Sequence, residues 1–562
     1  MTGTTSASVT GTTSASAIAA ARLVESLEQL GVELVFGLPG VHNLPIWKAL
    51  SQSPIRLVGV RHEQTAAYAA DGYARATGRL GVAVVTTGPG AANTLGATGE
   101  AMAASSPVLV IATDTASALR REGVYRGTLH ETRDQTAMFV PVTKAARAVG
   151  GAEEVATAVL ELGALALSAP TGPVYLGVPT DLLSKPVSGS ASVNAAVAET
   201  AHPLPSEDAL DRAAVALAEA ERPLIWAGGG ALRAGAGPAV GELALKLAAP
   251  VLTTFMGRGL LSPEHPCAVP GPAHAPEVGA LWDEADVVLA VGSDFDGTNT
   301  QNWQMPAPPT LIAVNVDEAD ANKSYRAHLT LVGDARAVLE RLVPRVTPRG
   351  SVDGLERRLA GIGAAVEASV REDDEQVSKL LDVVHRALAP DTVVVTDMCI
   401  PGYWLAGYWR VPGPRKLAYP LGWGTLGFGF PASLGAALAG AGPTVCVCGD
   451  GGFMYACGEL ATVVQERIPL TLVLVDDGGY GMLRFDQVQA GEEPFGVDLV
   501  GPDFVALAAS FGLPATVVEG FGAEFEAALR ASIATAEANM IVVHASLKPP
   551  PTTSPRWYRK TE

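Results

Sequence analysis

Charge is scarce in this sequence. Asp, Glu, Lys and Arg make up only 17% of 562 residues, well below the quarter usual for soluble domains. Basic charge is scarcer still, with 39 Lys and Arg against 58 Asp and Glu and a formal net charge of −19. A nucleic-acid-binding role is therefore excluded, because neutralising phosphates needs a clustered basic excess. The five cysteines, Cys267, Cys399, Cys446, Cys448 and Cys457, are too few and odd in number for a disulfide framework. Cys446-x-Cys448 alternates within an apolar run and reads as strand core. The start of the chain repeats Gly-Thr-Thr-Ser-Ala-Ser at 3–8 and 11–16 and has neither a basic nor an apolar segment. It reads as a disordered tail, not a signal peptide, and the cytoplasm is the expected compartment. Low charge leaves two possibilities, a membrane protein or a chain that hides surface in an oligomer. Residues 417–449 carry no charge and are long enough to span a bilayer. They contain Pro420, Pro431 and Pro443 and many glycines, so they read as loop, buried helix and buried strand.

Helix and strand patterns alternate from Ala17 onward. Apolar runs at 33–37, 55–60, 81–87, 108–113 and 174–178 read as buried parallel strands, with an Ala-rich helix over 62–78. A second set lies at 223–226, 250–254, 287–291 and 311–316, and a third at 392–396, 444–448, 470–475 and 540–544. The expected organisation is three α/β domains built on doubly wound parallel sheets, at 17–183, 208–345 and 375–546. A linker at 184–207, a charged helical connector at 346–374 and tails at 1–16 and 547–562 complete the division.

Two segments promise chemistry in the third domain. Gly449-Asp450-Gly451-Gly452 and Asp476-Asp477-Gly478-Gly479-Tyr480 both follow predicted parallel strands, where open α/β sheets place ligands. Asp450 and Asp477 could offer carboxylate oxygens to a hard cation with a backbone carbonyl beside them. The glycines would let a diphosphate approach the main chain. The alternative is a pair of ordinary acidic turns. Gly422-x-Gly424-x-x-Gly427 also matches a dinucleotide fingerprint, although no clear strand leads into it. Near the other end, Arg61-His62-Glu63 opens the Ala-rich helix, where Glu63 is either dipole compensation or a buried functional carboxylate.

Gly449-Asp-Gly451, followed after residues 452–475 by an acidic doublet in place of Asn-Asn, resembles the thiamine-diphosphate binding motif. Separated segments agree in order: Val35-Phe-Gly-Leu-Pro-Gly40, Arg61-His-Glu63, Ala70-Asp-Gly-Tyr-Ala-Arg75, Thr87-Gly-Pro-Gly-Ala-Ala-Asn93, Pro141-Val-Thr-Lys144 and Gly424-Thr-Leu-Gly-Phe-Gly-Phe-Pro431. From about residue 17 to 546 the chain resembles the acetolactate synthase and benzoylformate decarboxylase branch of thiamine-diphosphate enzymes. The resemblance implies pyrimidine-binding, central and diphosphate-binding domains, with active centres shared between subunits of a homodimer or homotetramer. It implies that Glu63 hydrogen-bonds the cofactor's aminopyrimidine, that Leu426 props the cofactor and that the Gly424 carbonyl meets its exocyclic amine. Asp450, Asp477 and the Gly479 carbonyl would hold Mg²⁺. The same correspondence makes Pro39, Thr87, Asn93, Gly451, Gly452, Tyr480, Gly481 and Met482 cofactor contacts.

The implied reaction is decarboxylation of a 2-oxo acid. The carbanion is then either protonated to an aldehyde or ligated to an aldehyde or oxo-acid acceptor. Departures bear on that choice. Asp477 replaces the usual asparagine, and Phe485-Asp486 replaces the Gln-Trp typical of acetolactate synthases. Leu129-His130-Glu131 stands where Phe-Gln-Glu is usual, so His130, Leu483 and Asp486 become candidate pocket residues. No adjacent His-His pair occurs, and Thr86-Thr87 fills the place of a decarboxylase histidine, which inclines the reading toward ligation. Gly228-Gly-Gly230 and Met256-Gly-Arg-Gly259 resemble flavin-holding segments, yet Gly292-Ser-Asp-Phe-Asp-Gly297 lacks the arginines usual there, so FAD stays open. A non-ligating decarboxylase and, more remotely, a nicotinamide oxidoreductase remain the alternatives.

Overall fold

The computed structural model describes residues 17–121, 123–188 and 203–551. The expected tail at 1–16, most of the expected linker and residues 552–562 of the expected C-terminal tail lie outside the described residues. Three parallel sheets organise the chain. The first runs, in spatial order, Arg56–Gly59, Leu34–Gly37, Gly81–Val85, Val108–Asp114, Val174–Pro179 and Ala145–Ala148. The second runs Val251–Thr253, Pro223–Ala227, Val287–Val291, Thr310–Asn315 and Leu329–Val332. The third runs Leu417–Ala418, Val393–Thr396, Thr444–Gly449, Leu470–Asp476, Asn539–His544 and Ala515–Glu519. Their central strands are β-branched runs buried on both faces, as parallel sheets require. Pro186–Val187, inside the expected linker, instead pairs antiparallel with Ala17–Ile18.

The first and third sheets share one topology. Numbered by chain order within each domain, the strands lie 2-1-3-4-6-5 in both. Each therefore has a switch point between its first and third strands, the place where such sheets bind ligands. In both domains the second strand leads into the helix that joins the two halves, Glu63–Thr77 in one and Gly429–Leu438 in the other. Both helices are almost wholly buried because they pack on each other as well as on their sheets.

That contact depends on missing side chains. A Cβ added to Gly435 would lie 1.8 Å from the Ala69 carbonyl oxygen, and one on Gly72 would lie 1.9 Å from that of Ala432. Both clashes are with backbone, so no rotamer change relieves them. Gly435→Ala is expected to cost about 1–3 kcal/mol or more. Gly361→Ala, on an exposed helical position with nothing within 4 Å, is expected to gain up to about 1 kcal/mol. Chemical denaturation of the two variants beside wild type checks both signs.

The charge-free stretch 417–449 resolves into the strand Leu417–Ala418, a glycine-rich loop, the buried helix Gly429–Leu438 and the strand Thr444–Gly449. Among the described residues, no helix is long and apolar enough to cross a membrane. Cys446 and Cys448 are fully buried in the strand, as core.

Candidate active site

The first half-site lies at the switch point of the first sheet. Glu63 begins its helix directly after the edge strand, and His62 caps that helix by accepting from the Gln64 amide. The Glu63 side chain is buried, 8% exposed, and accepts a 2.9 Å hydrogen bond from the Asn93 amide nitrogen. Gly90 lies against it, since an added Cβ would come within 3.3 Å of the Glu63 carboxylate. The loop that carries Pro39 is fixed by Asn43, which accepts from the Gly40 amide and donates to the Leu38 carbonyl. Pro39, Glu63, Thr87 and Asn93 thus all follow strands of one sheet end.

His130 reaches the same region from a long loop, with φ of +64°. Its ring lies edge-on to His42, centroids 5.4 Å apart. His42 hydrogen-bonds the Thr87 hydroxyl at 2.8 Å, and Thr87 continues the chain to Thr113 at 2.9 Å. Burial, with His130 beside it, holds His42 below its ordinary pKa. His42 escaped sequence reasoning because the segment Gly40-Val41-His42 carries no recognisable pattern.

The second half-site lies at the switch point of the third sheet. Asp450 follows the third strand of that sheet and Asp477 the fourth. Asp450 is buried, its Oδ1 has no hydrogen-bond partner, and burial together with Asp477 pushes its pKa up to about 6. Asp477 is also raised, chiefly by burial. Two close carboxylates, one with an orphaned oxygen, form a set of hard donors suited to a divalent cation. Among the described residues, no group of three or more His, Cys, Asp or Glu side chains gathers as a metal site.

The loop after Asp477 is tightly held. Gly479 has φ of +151° and no room for a side chain, because a Cβ would meet the Val497 carbonyl at 2.2 Å. Arg484 donates to the Asp477 and Gly478 carbonyls and pairs with Asp498, so it sets the loop's shape. A Cβ on Gly481 would collide with the Asp477 carboxylate. One on Gly451 would press on the Tyr480 ring at 2.8 Å, and one on Gly452 on Asp397 at 3.0 Å. Met482 packs inward, whereas Leu483 and Asp486 are exposed on the helix Gly481–Gln489, which buries no residue fully.

Asp397, which sequence reasoning missed, ends the first strand of the third sheet. Its buried carboxylate accepts from the amides of Met398, Gly427 and Gly429 at 2.6–3.2 Å. It thereby fixes the loop carrying Gly424 and Leu426, in which Gly424 has φ of +65°. The amide of Gly427, the last glycine of the apparent dinucleotide fingerprint, is thus engaged within the protein.

The glycines of the first flavin-like segment of the central domain lie against neighbouring segments of the chain. A Cβ on Gly228 would lie 2.2 Å from the Gly292 carbonyl oxygen, and one on Gly230 would lie 2.8 Å from the Gly292 Cα. These glycines serve close chain packing, and the Arg233 guanidinium covers Gly229.

Comparison with known proteins identifies the chain as a thiamine pyrophosphate-dependent enzyme, with matches along its length. Residues 18–138 match the thiamine pyrophosphate enzyme N-terminal TPP binding domain, 210–342 the central domain and 397–545 the C-terminal TPP binding domain. The chain belongs to this family, in its 2-oxo acid decarboxylase and acetolactate synthase-like branch. It is 38% identical over 505 residues to the "Probable 2-ketoarginine decarboxylase AruI" of Pseudomonas aeruginosa, covering 87% of each chain. It is 32% identical over 518 residues to the "Probable acetolactate synthase large subunit" of Methanocaldococcus jannaschii, covering 88% of this chain and 86% of the relative. With the acetolactate synthase isozyme 2 large subunit of Escherichia coli the identity is 31% over 501 residues, covering 87% and 89%. The nicotinamide reading falls with this membership.

Proposed function

We propose that this chain is a thiamine-diphosphate- and Mg²⁺-dependent decarboxylase of 2-oxo acids. The observation that carries the reading is the pair of half-sites at equivalent switch points, one with a buried, oriented carboxylate and one with two facing carboxylates. Bound thiamine diphosphate supplies the electron sink for breaking the bond between the carboxylate and carbonyl carbons. Glu63 holds a proton against the cofactor's pyrimidine ring, and Asn93 keeps its carboxylate oriented. Asp450, Asp477 and the Gly479 carbonyl hold the cation, and Gly451 and Gly452 let a diphosphate lie close to the backbone. Leu426 and Gly424 shape the cofactor's bed, and Pro39, Thr87, Tyr480, Gly481 and Met482 complete its walls.

The two half-sites come from different subunits of a homodimer or larger assembly. Exposed apolar side chains flank both of them: Val41, at 81%, and Leu129 beside the first, and Trp423, Tyr455 and Leu483 beside the second. Such exposure marks an interaction surface.

Simple decarboxylation and ligation part at the fate of the carbanion. The 2-ketoarginine decarboxylase relative favours the first and the acetolactate synthase relatives the second. Asp486, an exposed carboxylate on the helix that follows the Asp477 loop, suits a 2-oxo acid with a cationic tail. The test is mass spectrometry of products from pyruvate, benzoylformate and 2-ketoarginine, with and without aldehyde acceptors. The reading predicts CO₂ and the one-carbon-shorter aldehyde, fastest from 2-ketoarginine. Acyloin as the main product with every donor would favour ligation, and no CO₂ from any donor would overturn the proposal.

Asp477→Asn removes one of two facing carboxylates. It is expected to raise several-fold the Mg²⁺ concentration needed for half-maximal activity while leaving the fold intact. A Mg²⁺ titration checks this, and an unchanged midpoint would show that the charge of Asp477 adds nothing to cation binding beyond the ligating oxygen that asparagine keeps.

A further inference from the structure

Four guanidinium groups meet where the three domains join. Arg75 comes from the first domain's long helix, Arg233 and Arg258 from the central domain, and Arg415 from the segment before Leu417–Ala418. They line one small cavity of about 60 Å³, together with Ser105, Ser106 and Tyr419.

Arg75 is fully matched. It pairs with Asp71 and Glu100 and donates to the Tyr419 carbonyl. Burial pulls its pKa down, but the two carboxylates overcome that and hold it above its ordinary value. The other three are not matched. Each guanidinium has five N–H donors, yet among the described residues each makes a single hydrogen bond, to a carbonyl: Arg233 to Ala104, Arg258 to Trp409 and Arg415 to Arg75. Among the described residues, none of the three has a carboxylate within ion-pair distance. The Arg258 Nε is buried with no partner at all. Asp294 acts on Arg233 from a distance, but its own carboxylate is paired with Lys323 at 2.7 Å.

Arg415 adopts φ of +62°, a conformation unfavourable for a non-glycine residue, and its guanidinium packs against Gly78. Burial, with Arg415 and Arg75 beside it, lowers Arg233 to about 10. Gathering like charges and desolvating them is costly without a counter-ion, and the rest of this acidic chain could have supplied carboxylates. Charge arithmetic indicates the missing ion. Arg75 with Asp71 and Glu100 sums to −1, and Arg233, Arg258 and Arg415 add +3, which leaves +2.

We propose that this three-domain junction is a binding site for a phosphate-sized dianion, held by Arg233, Arg258 and Arg415. The cavity is several times what one water needs but far below the size of pockets that take nucleotide-sized ligands. Planar guanidinium forks bind phosphoryl and carboxylate oxygens alike, so the excess of two positive charges is what favours a phosphate dianion over a monocarboxylate. By touching all three domains, the anion fastens them together.

The test uses the full chain saturated with thiamine diphosphate and Mg²⁺, so that the family's diphosphate site is filled. Inorganic phosphate is titrated calorimetrically against chloride at matched ionic strength, with acetate as a second arm. The expected result is one saturable binding event per chain and, at about 100 times Kd, a rise of about 2 °C in melting temperature. Arg233→Met and Arg415→Met are each expected to weaken binding at least about tenfold. In phosphate-free buffer, Arg233→Met is expected to melt no lower than wild type, since it removes an unmatched buried charge. Absence of saturable binding in wild type, or a phosphate affinity in both variants equal to that of wild type, would overturn the proposal. Acetate binding as tightly as phosphate would overturn the assignment to a phosphoryl group. Heat and melting are read, so the outcome does not depend on whether the chain decarboxylates any 2-oxo acid.

Discussion

Glu63→Gln is expected to lower kcat for decarboxylation by roughly 10³-fold while leaving cofactor affinity within a few-fold of wild type. The amide matches the carboxylate in shape and can still accept the hydrogen bond from Asn93. Packing around Gly90 is unchanged, so the fold should tolerate the exchange. What is lost is the ability to hold a transferable proton at that carboxyl oxygen. Rates of CO₂ release, measured beside calorimetric cofactor binding, separate the two effects. A variant with more than a tenth of wild-type kcat would remove Glu63 from the chemistry.

Asp397→Ala has the second-largest expected effect, this time through the loop. Three backbone amides, those of Met398, Gly427 and Gly429, would lose the side-chain acceptor they share. Leaving buried donors unpaired costs about 1–3 kcal/mol each at the upper end, so a loss of about 3–5 kcal/mol is expected. Because the same loop carries Gly424 and Leu426, cofactor affinity should fall with stability. Denaturant titration and cofactor binding report the two losses, and a variant as stable as wild type would show that Asp397 does not set the loop. Asp397→Asn keeps one acceptor but turns an amide donor toward other donors, so an intermediate loss is expected.

Much of the fold was legible because parallel strands buried on both faces leave long β-branched runs. Gly81–Val85, Val287–Val291 and Leu470–Asp476 are of that kind. Ala145–Ala148 and Ala515–Glu519 were not read, because edge strands are partly exposed and lose the apolar run. Leu417–Ala418 is too short to leave a pattern. In the site, the burial of Glu63 was readable from its alanine neighbours, and the Asp450 and Asp477 turns from their strands. Asp397 looked like an ordinary acid at a strand end, since its partners are backbone amides about thirty residues later, which no side-chain motif records. The arginine junction was invisible for a similar reason. Its members lie in separate domains, and only the packed structure shows that they share one cavity. The packing of the central domain's glycines against Gly292 was equally invisible, since it joins segments far apart in the chain.

The proposed function places decarboxylation at a centre built from Glu63 of one subunit and Asp450 of another. The most direct test mixes Glu63→Gln chains with Asp450→Ala chains under conditions where subunits exchange, and measures CO₂ release from the best 2-oxo acid. Each variant alone should be nearly inactive. Random pairing makes half the dimers mixed, each with one intact centre of two, so the mixture should recover about a quarter of wild-type activity. No recovery, with exchange verified by native mass spectrometry of tagged chains, would contradict the shared centre.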